Sequence, residues 1–412
     1  MKTIFLYISA CFLSMACLWG SQIATNASTN TAVVVYAPVE VNKSVNKKVF
    51  VHFMPWFESN QTNQPTGAWG HHWTMANQNP DIVNVDGRRQ IASNYYPLIG
   101  PYASSDTNVI DYQLLLMKLS GIDGVFIDWP GTTILYDYPK NAANAEKIIS
   151  RLKNVGLNYA MVYEDQNINI AYHRGVINDK LAAAQNDMLY LQANHFAKTN
   201  YEKIAGKPLL LVFGPQTFTS ETDWVNIFSV TSTKPSFFTL WSQSAGAGNT
   251  AAGEFAWINR DNLTSLNNFY GKNYAGMKIA SAYPGFHTFY AKGGWSGPTW
   301  VIDANRTSNF QTTLKLAMQS NADHVQLLTW NDYGEGTMLE PTVEFQYDLL
   351  TCLQQELGVG FGQPDLALVS RLYNSRIKYA NNLRVQAQLN QVYYYLVSLQ
   401  IKKAMDLLSH IN

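Results

Sequence analysis

The segment TWNDYGEGTMLEP, Thr329–Pro341, follows the short apolar run HVQLL. It sets Asp332 and Glu335 three positions apart, with Trp330, Asn331 and Tyr333 beside them and Gly334 and Gly336 flanking the glutamate. Two carboxyl groups at this spacing suit acid–base work on a C–O bond. One keeps its proton to protonate the departing oxygen; the other is ionised to activate or assist a nucleophile. Glu335 is the candidate proton donor, because glycines on both sides let its backbone approach a ligand. Repulsion from Asp332, Asp128 and Glu164 would help it retain its proton. Asp332 is the candidate for the ionised role. On one helical turn the pair would share a face with Cβ atoms about 5–6 Å apart, but the glycines leave that geometry, and the stereochemical outcome with it, open.

Similar residues close other apolar runs. Trp56 follows the first, Asp128 and Trp129 the second, Glu164 and Asp165 the third, Trp241 the fifth and Tyr283 the sixth. Acids and aromatics converging at strand ends suit a sugar, whose C–H faces pack on rings and whose hydroxyls bond to carboxylates and amides. Each residue also has a plainer reading. Asp128 could cap the next element, and Trp56, Trp129 and Trp241 could equally fill core. Glu164 and Asp165 are adjacent, so in extended chain one faces the site and the other braces it; Glu164 is the preferred site residue. His52 lies inside a strand and reads as either a core histidine or one reaching the site. Glu254, after the glycine-rich QSAGAGNTAAG whose backbone can take unusual angles, reads as either a site residue or an ordinary surface glutamate. His71 and His72 sit with Trp69 and Trp73 in a long loop and read as substrate-binding. Two adjacent histidines do not readily aim at one metal, and no spaced ligand pattern completes a zinc site. No metal or cofactor is therefore expected.

Composition narrows the partner. Charged residues make up 14% of the 412-residue chain and the formal net charge is zero, unlike the concentrated positive surface that nucleic acid requires. The chain carries 11 Trp and 24 Tyr, in keeping with an oligosaccharide or polysaccharide partner. No phosphate-binding loop ending in Lys-Ser/Thr, GxSxG elbow or dinucleotide fingerprint is present. Lys2 followed by TIFLYISACFLSMACLW reads as a signal peptide over residues 1–24, with Cys17 of LSMAC as a lipidation site in the lipoprotein alternative. The protein is thus expected to be exported, whether periplasmic, cell-surface or secreted, and monomeric. Past that leader only Cys352 remains, so stability rests on an apolar core rather than disulfides.

The elements positioning these residues alternate. Residues 25–47 read as a tether or edge segment. Val49–Phe53 within KVFVHFMPWF, then GIDGVFIDW, LNYAMVYED, KPLLLVFG, PSFFTLW, MKIASAY and HVQLLTW read as seven strands. Helices are expected near Thr107–Ser120, Asn141–Gly156, Asp179–Thr199, Glu221–Ile227, Asn262–Tyr270, Phe310–Gln319 and Thr342–Leu357. Apolar strands separated by helices imply parallel sheet, and their regular spacing implies an α/β fold of the (β/α)8 TIM-barrel type over residues 48–357, with long βα loops. An eighth strand is not evident; residues 58–102, the Gly358–Phe361 region or a distorted segment are the alternatives. Residues 358–412 read as a helical extension packed on the barrel.

NDYGEGTMLEP resembles the Asn-Glu-aromatic-x-Glu-Gly-Thr motif of the family 99 endo-α-mannosidases and endo-α-mannanases, and WNDYGE also resembles the family 71 α-1,3-glucanases. YYPLIGPY, LLLMKLSGIDGVFIDWPG and ASAYPGF are similar to the same grouping, and the resemblance spans Val49 to Leu357. The family 99 resemblance implies a (β/α)8 barrel and endo-attack on α-mannosides with retention. A glutamate at the position of Asp332 removes the 2-hydroxyl proton to form a 1,2-anhydro sugar, and the glutamate at the position of Glu335 acts as acid and then base. Here Asp stands for Glu, a reach shorter by roughly 1.5 Å, and Gly334 replaces a common histidine. The family 71 resemblance implies inversion on an α-glucan. A non-catalytic oligosaccharide-binding protein with an enzyme-like cleft is the remaining reading.

Overall fold

The computed structural model describes residues 32–411. The leader, Cys17 and the first residues of the tether lie outside them. Eight parallel strands form the barrel: β1 Lys48–Phe53, β2 Gly124–Trp129, β3 Asn158–Tyr163, β4 Lys207–Val212, β5 Ser236–Leu240, β6 Ala251–Phe255, β7 Met277–Ala282 and β8 His324–Leu327. Each pairs with its sequence neighbours, and β1 pairs with β8, Val51 lying opposite Leu327, so the sheet closes. A short antiparallel strand, Lys203–Ile204, leads into β4. Closure leaves the barrel without an exposed edge, and side chains buried on both faces explain why seven of the strands read as unbroken apolar runs.

The eighth strand is β6. It lies in none of the regions proposed by location, although its pairing with β5 is irregular, with a register shift between Phe237 and Phe238. AAGEF escaped notice because Ala, Gly and Glu are poor strand formers and it follows a glycine-rich stretch. Packing demands Gly253: a Cβ there would lie 2.2 Å from the Phe238 ring and 2.5 Å from the Met277 carbonyl oxygen. Glu254 on the same strand is buried, not a surface residue, and accepts hydrogen bonds from Ser244 Oγ (2.5 Å) and Lys272 Nζ (3.0 Å).

Helices follow the expected pattern with local differences. Asp106 caps Thr107–Leu119 by accepting from Asn108 N at 2.7 Å, and Gly156, at φ +79°, ends Tyr138–Val155. The last barrel helix begins at Asp348, not near Thr342, because Thr342 is engaged in bridges to Pro97 and Gln346. The extension forms three helices, Gln363–Lys378, Leu383–Val397 and Ile401–Ser409. Leu366, Leu372, Leu389, Leu396 and Leu408 join the same buried cluster as the barrel strands. Asp111 adds a polar tie, accepting from Arg376 (2.7 Å) and Arg151 (2.5 Å). Residues 32–47 run without regular structure along this body, Val39 N donating to Val397 O and Ser44 N to Leu357 O. Among the described residues no helix is long and apolar enough to cross a membrane.

Gly253→Ala is expected to destabilise the protein by about 1–3 kcal/mol through overpacking between β5 and β7. Urea unfolding would register this as a lower midpoint, and an unchanged midpoint would show that the barrel wall can yield there.

Candidate active site

Strand β8 ends at Leu327, and the chain then folds back as a self-bonded turn. Thr329 N donates to Thr337 O (2.8 Å), Thr337 N to Asp332 O (3.2 Å) and Glu340 N to Trp330 O (2.9 Å). Asn331 clamps this turn to the end of β1: its Oδ1 accepts from Met54 N at 2.9 Å and its Nδ2 donates to Met54 O at 3.0 Å. Asp332 N donates to Thr329 Oγ1 (2.8 Å), and Asp332 Oδ1 accepts from Glu335 N (2.9 Å). The two acids therefore sit on a side-chain-closed turn rather than a helical turn. Gly336 takes φ +67°, and a Cβ there would lie 2.6 Å from the His287 carbonyl oxygen. That close approach lets His287 N donate to Glu335 O and Phe289 N to Gly334 O, both at 2.9 Å. The loop after β7 is thereby stitched to the acid turn, and it brings Tyr290, whose hydroxyl donates to Glu335 Oε1 at 3.1 Å.

Beneath the turn lies an acid that sequence reasoning missed. Glu340 is fully buried and accepts from Gln113 Nε2 (2.7 Å), Tyr102 OH (2.8 Å) and Tyr333 OH (2.8 Å). Burial pushes its carboxyl up to about 7 despite these donors. The available signal was a lone charge in the otherwise apolar MLEP.

A cavity of 620 Å³ opens at the C-terminal end of the barrel, with Trp56, His71, His72, Asp128, Asp137, Glu164 and Trp295 among its walls. Asp332 and Glu335 adjoin this space rather than line it. Tyr290 packs its ring against cavity residue Trp295 (centroids 6.1 Å apart) while bonding Glu335, and the charge of Asp332 acts on cavity residue Asp128. Glu164 lies at the cavity, whereas Asp165 accepts from Gln216 N (2.9 Å), Thr217 N (2.7 Å) and Phe218 N (3.1 Å) and braces the loop after β4.

Several sequence candidates lie elsewhere. Trp129 is buried and stacks on Tyr190 with centroids 5.7 Å apart. Trp73 is buried, its Nε1 donating to Tyr102 O at 2.7 Å, and Tyr333 packs beside it. Tyr283, Trp330 and Asn331 are also fully buried. None of these six offers surface to a ligand; Trp73 and Tyr333 pack beneath the acid turn and the others are packing residues elsewhere in the barrel end. Trp241 is half-buried against Phe269, outside the cavity lining. His52 is a core residue edge-on to Trp257, kept neutral by burial that lowers it to about 3. His71 and His72 do turn toward one point, the Asp137 carboxylate, contrary to the expectation for adjacent histidines. They open the short helix His71–Thr74, and His72 is held flat on Trp56 at 4.2 Å between ring centroids.

Burial governs the electrostatics. Burial, and then the neighbouring Asp332 charge, push Glu335 up to about 8, with the Tyr290 bond opposing them. Burial alone raises Asp332 to about 6, restrained by bonds from the Glu335 and Gly334 amides. Asp332 therefore ionises before Glu335. Asp128 and Glu164 form a second pair: burial and the Glu164 charge hold Asp128 well up, while burial raises Glu164 to about 7. A proton on Asp128 shared toward Glu164 accounts for this split. The arrangement can thus hold a proton on one acid beside a charge on another.

The closed parallel barrel thus carries its carboxyl groups at the C-terminal ends of the strands, the end at which (β/α)8 barrels place their sites. No protein-family model matches the chain. It is similar to the glycoprotein endo-alpha-1,2-mannosidase-like protein of Danio rerio, at 21% identity over 351 residues, covering 75% of this chain and 74% of the relative. Among solved structures, the GH99 endo-alpha-mannosidase from Bacteroides thetaiotaomicron superposes with a TM-score of 0.56 at 16% identity, over 88% of this chain and all of that one. A glycoside hydrolase-like protein superposes at 0.54 with 13% identity, over 80% of this chain and 97% of that chain. These matches establish the (β/α)8 barrel, and the resemblance read from NDYGEGTMLEP extends over most of the chain.

Because Glu335 binds its proton more tightly folded than unfolded, its contribution to stability is fully present below about 4.5 and is lost as pH rises toward about 8. Glu335→Gln removes that slope. The variant should gain on the parent by roughly 1–3 kcal/mol between pH 4.5 and 8, measured by denaturant unfolding across that window. A pH-independent difference would show that Glu335 titrates as an ordinary exposed glutamate.

Proposed function

We propose that this protein is an exported, monomeric glycoside hydrolase that cleaves internal α-glycosidic bonds, with α-mannan or a related α-glycan as substrate. The observation that carries the reading is the electrostatic split between Glu335 and Asp332 on one braced turn beside a cavity walled by Trp56 and Trp295. Glu335 donates its proton to the leaving oxygen and afterwards takes one from water. Asp332, ionised first, acts on the sugar from the opposite role, removing the 2-hydroxyl proton as the family 99 resemblance implies. Asp128 and Glu164 hydrogen-bond sugar hydroxyls, and Trp56 packs against a ring face. The similarity to proteins named as endo-alpha-mannosidases supports the α-mannoside choice. Export rests on the leader sequence, with membrane attachment through Cys17 as its lipoprotein form.

Incubation of the full-length mature protein with α-mannan and α-1,3-glucan oligosaccharides, followed by product sizing and anomeric NMR, tests this directly. Internal cleavage of the mannoside with retention is expected. Cleavage of the glucan with inversion would move the protein to the family 71 branch, and intact recovery of every bound α-glycan would make it a binding protein. Glu335→Gln should slow turnover by about 10²–10⁴-fold on substrates with poor leaving groups while leaving binding in place. Full activity in that variant would remove Glu335 from the acid role.

A further inference from the structure

The contact between His71, His72 and Asp137 is poorly explained as hydrogen bonding. His71 Nε2 lies 3.6 Å and His72 Nε2 3.9 Å from the same oxygen, Asp137 Oδ2. Both separations exceed the usual range of about 2.7–3.2 Å for an N–H···O bond. Donor atoms arranged tetrahedrally around a zinc-class ion, with bonds of about 2.0–2.1 Å, lie about 3.3–3.4 Å from one another. One potential ligand atom from each residue falls within 4.8 Å of the others, so a contraction of side chains alone closes the set.

Two further observations point the same way. Asp137 occupies the N-cap position of helix Tyr138–Val155, yet its side chain makes no capping bond, although such a bond is worth about 1 kcal/mol. Its carboxylate faces the histidines instead. The imidazoles are also held from behind: His72 lies parallel to Trp56, with an interplanar angle of 5°, and His71 packs near Trp295 at 5.8 Å. Rings whose orientation is fixed by packing lose little freedom on binding an ion.

We propose that His71, His72 and Asp137 form a binding site for a single divalent ion of the zinc class on the wall of the cavity. Two imidazole nitrogens and one carboxylate oxygen leave a fourth position for an exchangeable ligand, as in zinc sites that are not purely structural. All three residues line the 620 Å³ cavity, so water or a hydroxyl of a bound ligand fills that position. Only a sugar as the source of that hydroxyl rests on the hydrolase reading; the ion site does not.

The test uses the untagged full chain, stripped with a chelator and then titrated with Zn²⁺ by calorimetry and with Co²⁺ by visible absorption, in the absence of any glycan. One ion per chain is expected, with Co²⁺ giving the intense spectrum of low-coordinate geometry. His71→Ala and Asp137→Ala should each weaken Zn²⁺ binding by about 100-fold or more, beyond the 10–100-fold typical of groups that only support a ligand. His410→Ala, in the C-terminal helical extension, should leave it unchanged. The His71 side chain is about half-exposed (47%), so its variant reports on the site without disturbing the core, and circular dichroism of both variants verifies folding. Absence of stoichiometric binding, or undiminished Zn²⁺ affinity in folded His71→Ala, overturns the site. Because no substrate is present, neither result depends on whether the protein cleaves glycans.

Discussion

The architecture of the site depends on withdrawing carboxyl groups from water at one end of the barrel. An isolated charge placed there would be strongly unfavourable, so each acid must keep its proton or find donors. Asp332 takes backbone amides, Glu340 takes two phenols and an amide, Asp165 takes three backbone amides, and Glu335 is left with one phenol. That unequal supply separates their proton affinities. Of these four, Glu335 has the fewest donors and holds its proton most tightly.

Holding such groups together requires a rigid floor, and the buried aromatics provide it. Trp73, Phe57, Tyr102 and Tyr333 pack beneath the turn as one cluster. The polar ends of Tyr102 and Tyr333 meet at Glu340, and Asn331 Nδ2 reaches Tyr102 OH at 3.2 Å while clamping Met54. The strand ends β1 and β8 are thus locked through hydrogen bonds buried in a low-dielectric setting, where breaking one partner leaves others unsatisfied. A turn suspended on this network keeps Asp332 and Glu335 in fixed relation while the cavity beside them stays open.

Much of this was legible in the chain. Seven strands announced themselves by apolar runs, and the acids and glycines of the NDYGEGTMLEP segment marked the turn. The eighth strand was hidden because Gly253 is required by contact with Phe238, a demand made by tertiary packing that local propensity cannot express. The aromatics were harder to assign because residue type does not specify facing. Trp129 follows Asp128 along β2, so the two point to opposite sides: Asp128 reaches the cavity and Trp129 packs on Tyr190 outside the barrel wall. Glu164 and Asp165 lie past the end of β3, where the chain turns into helix Gln166–His173 with Asp165 at its N-cap, and they divide there, Glu164 toward the cavity and Asp165 onto the amides of residues 216–218. Glu340 and Asp137 stayed unseen because their partners, Gln113 and Tyr102 for one and His71 and His72 for the other, are distant in sequence.

The substitution of Asp for the glutamate expected at position 332 finds a physical reason in the turn itself. An aspartate side chain is short enough to accept a backbone N–H three residues ahead, the local bonding that favours Asp at turns and caps. Asp332 Oδ1 does this with Glu335 N. A glutamate carries its carboxyl one methylene further and would not close the same ring without moving the backbone. The shorter acid therefore sets the conformation of the residue it works beside, and the bond that lowers its own proton affinity also fixes where Glu335 begins. Lost reach is set against a more firmly held turn, to which Asp332 Oδ1 is committed.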